Sequence, residues 1–209
     1  AGSISTTQAL SAYPSYKEEE SYIVWSEIAS QLARLNNLLA HEKEHKLFEK
    51  YSINIFKNIG EKIGWRKKIG EDHSQALLRS VILTSLGKYG DRNTIITAQA
   101  MFKSMLDGKE QIDSDLRGVV YSIVAKYGDK KTHLELLTLY RSSQFQEEKD
   151  RIFKALCSFK QKDIIEQVLE FGFSNEVRLQ DSYKSIYFIF ANAEGRNLAW
   201  NFLKLHWEE

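Results

Sequence analysis

A segment that occurs twice constrains this chain more than any other feature. Residues 77–91 return 38 positions on as residues 115–129. Leu78-Arg79 matches Leu116-Arg117, Val81 matches Val119, and Lys88-Tyr89-Gly90-Asp91 matches Lys126-Tyr127-Gly128-Asp129. A degraded third copy runs from Arg151 to Asp163 with the same step from Arg to Asp, and a fainter fourth from Tyr183 to Gly195. Repeats spaced in the thirties and low forties mark stacked helical hairpins, none of which can bury its apolar face alone. The expected fold class is therefore all-α, a superhelical array of antiparallel helix pairs with about ten or eleven helices.

The repeated segment reads as a helix and its stop. Leu78, Val81, Ile82, Ser85 and Leu86 recur at the spacing of one helix face. Gly90 stands where a left-handed residue ends a helix, and Asp91 follows as a cap for the next one. The second helices of the two hairpins are expected over residues 94–106 and 131–142. With one proline, Pro14, in the whole chain, nothing interrupts helix elsewhere. Thr6 or Thr7 is expected to cap a short helix over residues 8–13, ended by Pro14. A helix over residues 21–40 carries a stripe of Trp25, Ile28, Leu32, Leu35 and Leu39. A helix over residues 43–63, closed by Gly64, carries Leu47, Tyr51, Ile55 and Ile59. A basic loop over residues 65–70 precedes the repeats. Helices at 145–158, 162–173, 179–191 and 194–207 complete the array.

Composition excludes several function classes. Lys plus Arg number 29 against 28 Asp plus Glu, a net charge of +1, so no nucleic acid and no anionic membrane is expected as partner. No apolar run is long enough to span a bilayer, and no signal peptide pattern opens the chain. The one cysteine, Cys157, allows no internal disulfide; it lies on an apolar helix face as a buried, inert thiol, which points to a reducing, cytoplasmic setting. Trp200 and Trp207, seven apart, read as core. Arg66-Lys67-Lys68 reads as a solvated loop, and His73, His133 and His206 are scattered. Ala1-Gly2-Ser3 reads as an expression scar, with residues 4–209 a single helical repeat domain cut from a longer chain.

One segment imitates a catalytic motif. His41-Glu42-Lys43-Glu44-His45 has the zinc-peptidase spacing, in which two His one helical turn apart bind the metal and a Glu between them is the general base. Yet it falls at the junction of two predicted helices. The following stripe begins at Leu47, so both imidazoles are expected to face solvent. A carboxylate ligand on the next helix would be needed near Gly64, where Glu61 comes early and Glu71 late. No catalytic, cofactor-binding or metal residue is assigned to this chain.

A set of scattered residues carries a family resemblance. Tyr22-Ile23-Val24-Trp25-Ser26, Ile63-Gly64-Trp65, Leu77-Leu78-Arg79-Ser80, Asp115-Leu116-Arg117, Glu147-Glu148-Lys149 with Arg151, and Gln180-Asp181 occur in an order that resembles the C-terminal helical domain of M1-family zinc aminopeptidases. So does the close, Gly195-Arg196, Ala199-Trp200-Asn201-Phe202-Leu203-Lys204 and Trp207-Glu208-Glu209. The branch it looks most like is the puromycin-sensitive and tricorn-interacting-factor one. The resemblance implies a HEAT- or armadillo-like α-solenoid, non-catalytic in itself. Its implied partners are the parent's catalytic domain and peptide substrates, whose chamber it would enclose and whose access and length it would help select. It implies no cofactor here and zinc in the missing catalytic domain, so His41, Glu42 and His45 match the motif only in letters. Two rival readings remain: a free-standing helical-repeat scaffold for protein partners, and a small zincin using His41 and His45.

Overall fold

The computed structural model describes residues 4–207; the Ala1-Gly2-Ser3 triplet and the closing Glu208-Glu209 lie outside the described residues. Eleven α-helices and two short 3-10 turns make up the described chain, and no strand occurs among the described residues. The expected all-α class holds. The chain divides into two compact units, one ending at Thr94 and the other beginning at Ile95.

The first unit opens with α1 (Thr6–Leu10). Its cap is Ser5, whose hydroxyl accepts from Gln8 N while the Gln8 side chain returns to Ser5 N. Thr6 and Thr7, the expected caps, lie inside the helix, because only Ser5 has the polar partner three residues on that completes a capping box. Pro14 does not end that helix; it sits in the first turn of a 3-10 turn, Tyr13–Tyr16, where a missing N–H costs nothing. Then come α2 (Tyr22–Leu39), α3 (His45–Ile63) and α4 (His73–Tyr89). The Trp25 ring, early in α2, lies 5.6 Å from Phe56, late in α3. Asn36, late in α2, bonds His45 at the start of α3. The pair is therefore antiparallel. Trp25, Leu32, Phe56, Ile59, Leu78, Ile82, Leu86 and Tyr89 form one buried cluster across the three helices.

The face of α3 differs from the expected one. Phe48, Ser52, Phe56, Ile59, Gly60 and Ile63 are buried, whereas Leu47 is 67 % exposed and Tyr51 and Ile55 only half-buried. Two apolar rows run side by side along this helix, one residue apart. The row with the larger rings, Phe48 and Phe56, turns inward, and the serine between them hides it from a pattern search.

The second unit holds most of α5 (Arg92–Leu106), then α6 (Ser114–Lys126), α7 (Lys130–Ser142), α8 (Gln146–Leu156), α9 (Lys162–Gly172), a 3-10 turn (Leu179–Asp181), α10 (Tyr183–Phe190) and α11 (Arg196–Leu205). The helix expected over residues 179–191 thus begins only at Tyr183, after that turn. Lys149, early in α8, sits over the ring of Tyr140, late in α7, while His133, early in α7, meets Phe159 beyond the end of α8. These two helices run antiparallel. Ion pairs Lys130–Asp163 (2.8 Å) and Arg141–Glu176 (2.6 Å) join the start of α7 to that of α9 and the end of α7 to the segment after α9. So α7 and α9 run in the same direction, as alternate helices of stacked hairpins do. Val120, Leu136, Ile152, Leu156, Phe159, Ile164 and Val168 are fully buried among them.

The repeat is real in its caps and different in its glycines. Asp91 Oδ2 accepts from Thr94 N (2.8 Å) and Thr94 Oγ1 (2.7 Å) at the start of α5. Asp129 Oδ1 accepts from Thr132 N (3.0 Å) and Thr132 Oγ1 (3.3 Å) at the start of α7. Gly90 ends α4 in the left-handed region at φ 92°. Gly128 is not left-handed; a Cβ there would meet Val124 O at 2.5 Å and Thr132 Cβ at 2.7 Å. The same letter serves a backbone angle once and a close approach once. The third copy keeps its helix but not its cap: Asp163 lies inside α9, past the N-cap Gln161, and pairs with Lys130.

Trp200 and Trp207 correct another expectation. They are 51 % and 73 % exposed, not core. The inward side of α11 is set by Ala199, and Trp200, one residue on, is turned about 100° away from it. Trp207 lies beyond the helix end.

Candidate functional site

The local geometry decides the histidine motif. Residues 40–44 form turns, and helix resumes only at His45. A pair of histidines one helical turn apart converges because both stand on one helix face; here the first is not on the helix at all. His41, Glu42, Lys43 and Glu44 are exposed. His45 is half-buried rather than solvent-facing, because its Nε2 lies 3.0 Å from Asn36 Oδ1, a partner that the stripe of α2 gave no reason to expect. Neither candidate third ligand is at hand. Glu61 is exposed beside Lys57, and Glu71 is committed to Arg79. The residues do not fit a zinc site. Among the described residues, no group of three or more His, Cys, Asp or Glu is placed to hold a metal ion.

The other singled-out residues have structural surroundings. Cys157 is buried at the C-cap of α8, and burial pushes its thiol upward. Arg66 and Lys67 are exposed, and Lys68 Nζ donates to Lys62 O at 2.9 Å. His73 opens α4 at the surface, and His206 stacks on Phe202 at 4.1 Å.

The geometry instead gathers the scattered charged residues into three ties. In the first unit, Arg79 is buried; its Nη2 donates to both Glu71 oxygens at 2.5 and 2.6 Å, and its Nε donates to Gly64 O at 3.1 Å. The hydrogen bond from Arg79 holds the Glu71 carboxyl below its ordinary value. One guanidinium thus fixes the end of α3, the basic loop and the start of α4.

In the second unit, Arg117 repeats the device. Its Nε donates to Ile112 O at 3.2 Å, and its Nη1 lies 3.5 Å from Glu148 Oε2. The same buried carboxylate accepts from Tyr121 OH at 2.8 Å and from Arg151 Nη1 at 3.0 Å, and Arg151 also pairs with Glu147. Burial first, and the Glu148 carboxylate second, push the Tyr121 phenol upward. A third tie centres on buried Asp181, which accepts from Arg178 Nε at 2.7 Å and pairs with Lys184 Nζ at 2.8 Å. Lys184 also reaches Asp150 on α8 at 3.3 Å. The hydrogen bond from Lys184 leads in holding the Asp181 carboxyl down.

These carboxylates have their oxygens filled by cations and hydroxyls, which suits them to fastening helices rather than to moving protons. The sequence had offered Arg79, Arg117, Glu148, Arg151 and Asp181 as letters of a resemblance without a role. The signal that could have exposed the role is the Leu-Arg step at the start of both repeats. Its partners, Glu71 and Glu148, lie on opposite sides of their arginines in the chain, so no repeat search aligns them.

Comparison with known proteins agrees with the scattered residues. A family model described as the ERAP1-like C-terminal domain matches residues 1–209. Human glutamyl aminopeptidase is 28% identical over 195 residues, covering 92% of this chain and 20% of that protein. Aminopeptidase M1 of Arabidopsis thaliana is 30% identical over 211 residues, 98% of this chain and 24% of that protein. Alanine/arginine aminopeptidase of Saccharomyces cerevisiae is 28% identical over 213 residues, 100% of this chain and 25% of that protein. The chain spans a fifth to a quarter of the length of these relatives.

Proposed function

This chain belongs to the ERAP1-like C-terminal domain family, and from that membership we propose that it is the non-catalytic C-terminal domain of an M1 zinc aminopeptidase, walling the substrate chamber and contributing to peptide access and length selection. The observation that carries the reading is the match over all 209 residues, aligned with one portion of aminopeptidases from animals, plants and yeast. One family model spanning both compact units supports treating residues 4–209 as one domain. Zinc would belong to the parent's catalytic portion, and the three ion-pair ties would keep the helices here rigid enough to present a fixed wall to a peptide. No helix among the described residues is long and apolar enough to cross a membrane, and the unpaired buried Cys157 supports a cytoplasmic setting.

A second reading, a helical-repeat scaffold for another protein, draws on the exposed aromatic rings Tyr183, Tyr187, Trp200 and Trp207. One experiment separates the two. The catalytic portion encoded upstream in the native gene is assayed on a ladder of peptides, with and without this chain added. The proposal expects the length profile to shift when the chain is present. An unchanged profile, or an upstream sequence without a zinc domain, would leave the scaffold reading. Turnover by this chain alone with zinc, lost in Glu42→Gln, would overturn both.

A further inference from the structure

Helix α7 carries an imidazole into the interior of the second unit. His133 is 3 % exposed. Its ring stands edge-on to Phe159, centroids 5.5 Å apart and planes at 86°, and its Nε2 has no hydrogen-bonding partner among the described residues. A neutral imidazole can occupy such a place as one aromatic ring among others. An imidazolium cannot do so without cost, because both nitrogens then carry hydrogens and a buried charge needs an acceptor. The position of Nε2 supplies none.

The surrounding charges do not compensate. On α7 itself, Asp129 is spent on capping Thr132, and Lys131 lies 3.8 Å from Glu135. From α9, Asp163 is the carboxylate that favours the charged ring, but Lys130 already pairs with it at 2.8 Å. From the end of α6, Lys126 lies over the Tyr127 ring, and Lys160, between α8 and α9, lies over the same ring. Burial pulls His133 below the ordinary histidine value, with Asp163 opposing.

We propose that His133 is an acid-triggered release point in the second unit: protonation of its ring breaks the contact with Phe159 and loosens α7 from α8. The direction follows from linkage. The folded value lies below the ordinary 6.5, so the unfolded chain takes the proton first as pH falls. The contribution to stability is complete above that value and is lost as pH drops from it toward the folded one.

The test is thermal melting of the intact chain between pH 7.5 and 5.0, with hydrogen exchange at both ends corrected for intrinsic rates. The wild type should lose about 2–4 °C more than His133→Leu over this range, and its α7 amides should gain exchange at the acid end. Asp163→Asn should steepen the loss, because it removes the favouring carboxylate and leaves Lys130 unneutralised. Equal slopes in wild type and His133→Leu would overturn the proposal. Should His133→Leu fail to fold, an Asp163→Asn slope no steeper than wild type, or a His133 ring titrating at or above the ordinary value by NMR, would do the same.

Discussion

The buried guanidinium of Arg79 shows what a single side chain does in this chain. It meets a carboxylate and a backbone carbonyl at once, an arrangement at which Arg excels and Lys does not. Removing one partner is worse than never having had the pair, because the remaining charge stays buried without compensation. Glu71→Gln is therefore expected to lower the denaturation midpoint, and Arg79→Lys not to rescue it, as measured by urea titration followed by circular dichroism. The pH dependence has a defined sign. Glu71 titrates below its ordinary 4.5 when folded, so its contribution is present above that value and is lost as pH falls through the folded value. In Glu71→Gln that component of the acid loss should be missing.

Among the elements, α9 and α10 approach closely at Gly172. A Cβ on Gly172 would stand 2.5 Å from Ser185 Oγ and 2.6 Å from Ser185 Cβ. Gly172→Ala should destabilise by about 1–3 kcal/mol, the usual cost of overpacking, and Ser185→Gly in the same chain should recover part of it; chemical denaturation of the single and double variants checks both. The elements were also where the sequence spoke most clearly. Helices could be placed because one proline leaves the chain uninterrupted, and Asp91 and Asp129 announced the caps that they form. Which face turns inward was harder. In α3 two apolar rows compete, and in α11 the inward mark is a small alanine beside a large tryptophan, so size misled where neighbours decided.

For the molecule as a whole, the family was legible and the reason for its signature was not. The residues that carried the resemblance are far apart in sequence, yet several of them meet: Glu148 with Arg117 and Arg151, and Arg79 with the backbone around Gly64. A scattered pattern of this kind marks helices that must be fastened at fixed heights, which no periodicity reveals. The helix junction that separates His41 from His45 was legible in the sequence, although the bond that turns His45 inward to Asn36 was not. Nor did composition hint at His133, since a histidine on an apolar stripe reads the same whether or not its second nitrogen has a partner.

The lone thiol gives this chain a built-in clock. Cys157 is 2 % exposed, is the one cysteine of the 209 residues, and has Asn192 Nδ2 bonded to its own carbonyl oxygen at 3.1 Å. A maleimide or disulfide reagent can therefore reach sulfur only during an opening of the second unit, and every labelled molecule records one such event. At low reagent the rate should follow the equilibrium population of the open form; at high reagent it should plateau at the opening rate itself. Labelling that is immediate and independent of denaturant would show that the α8 end is open in the native protein.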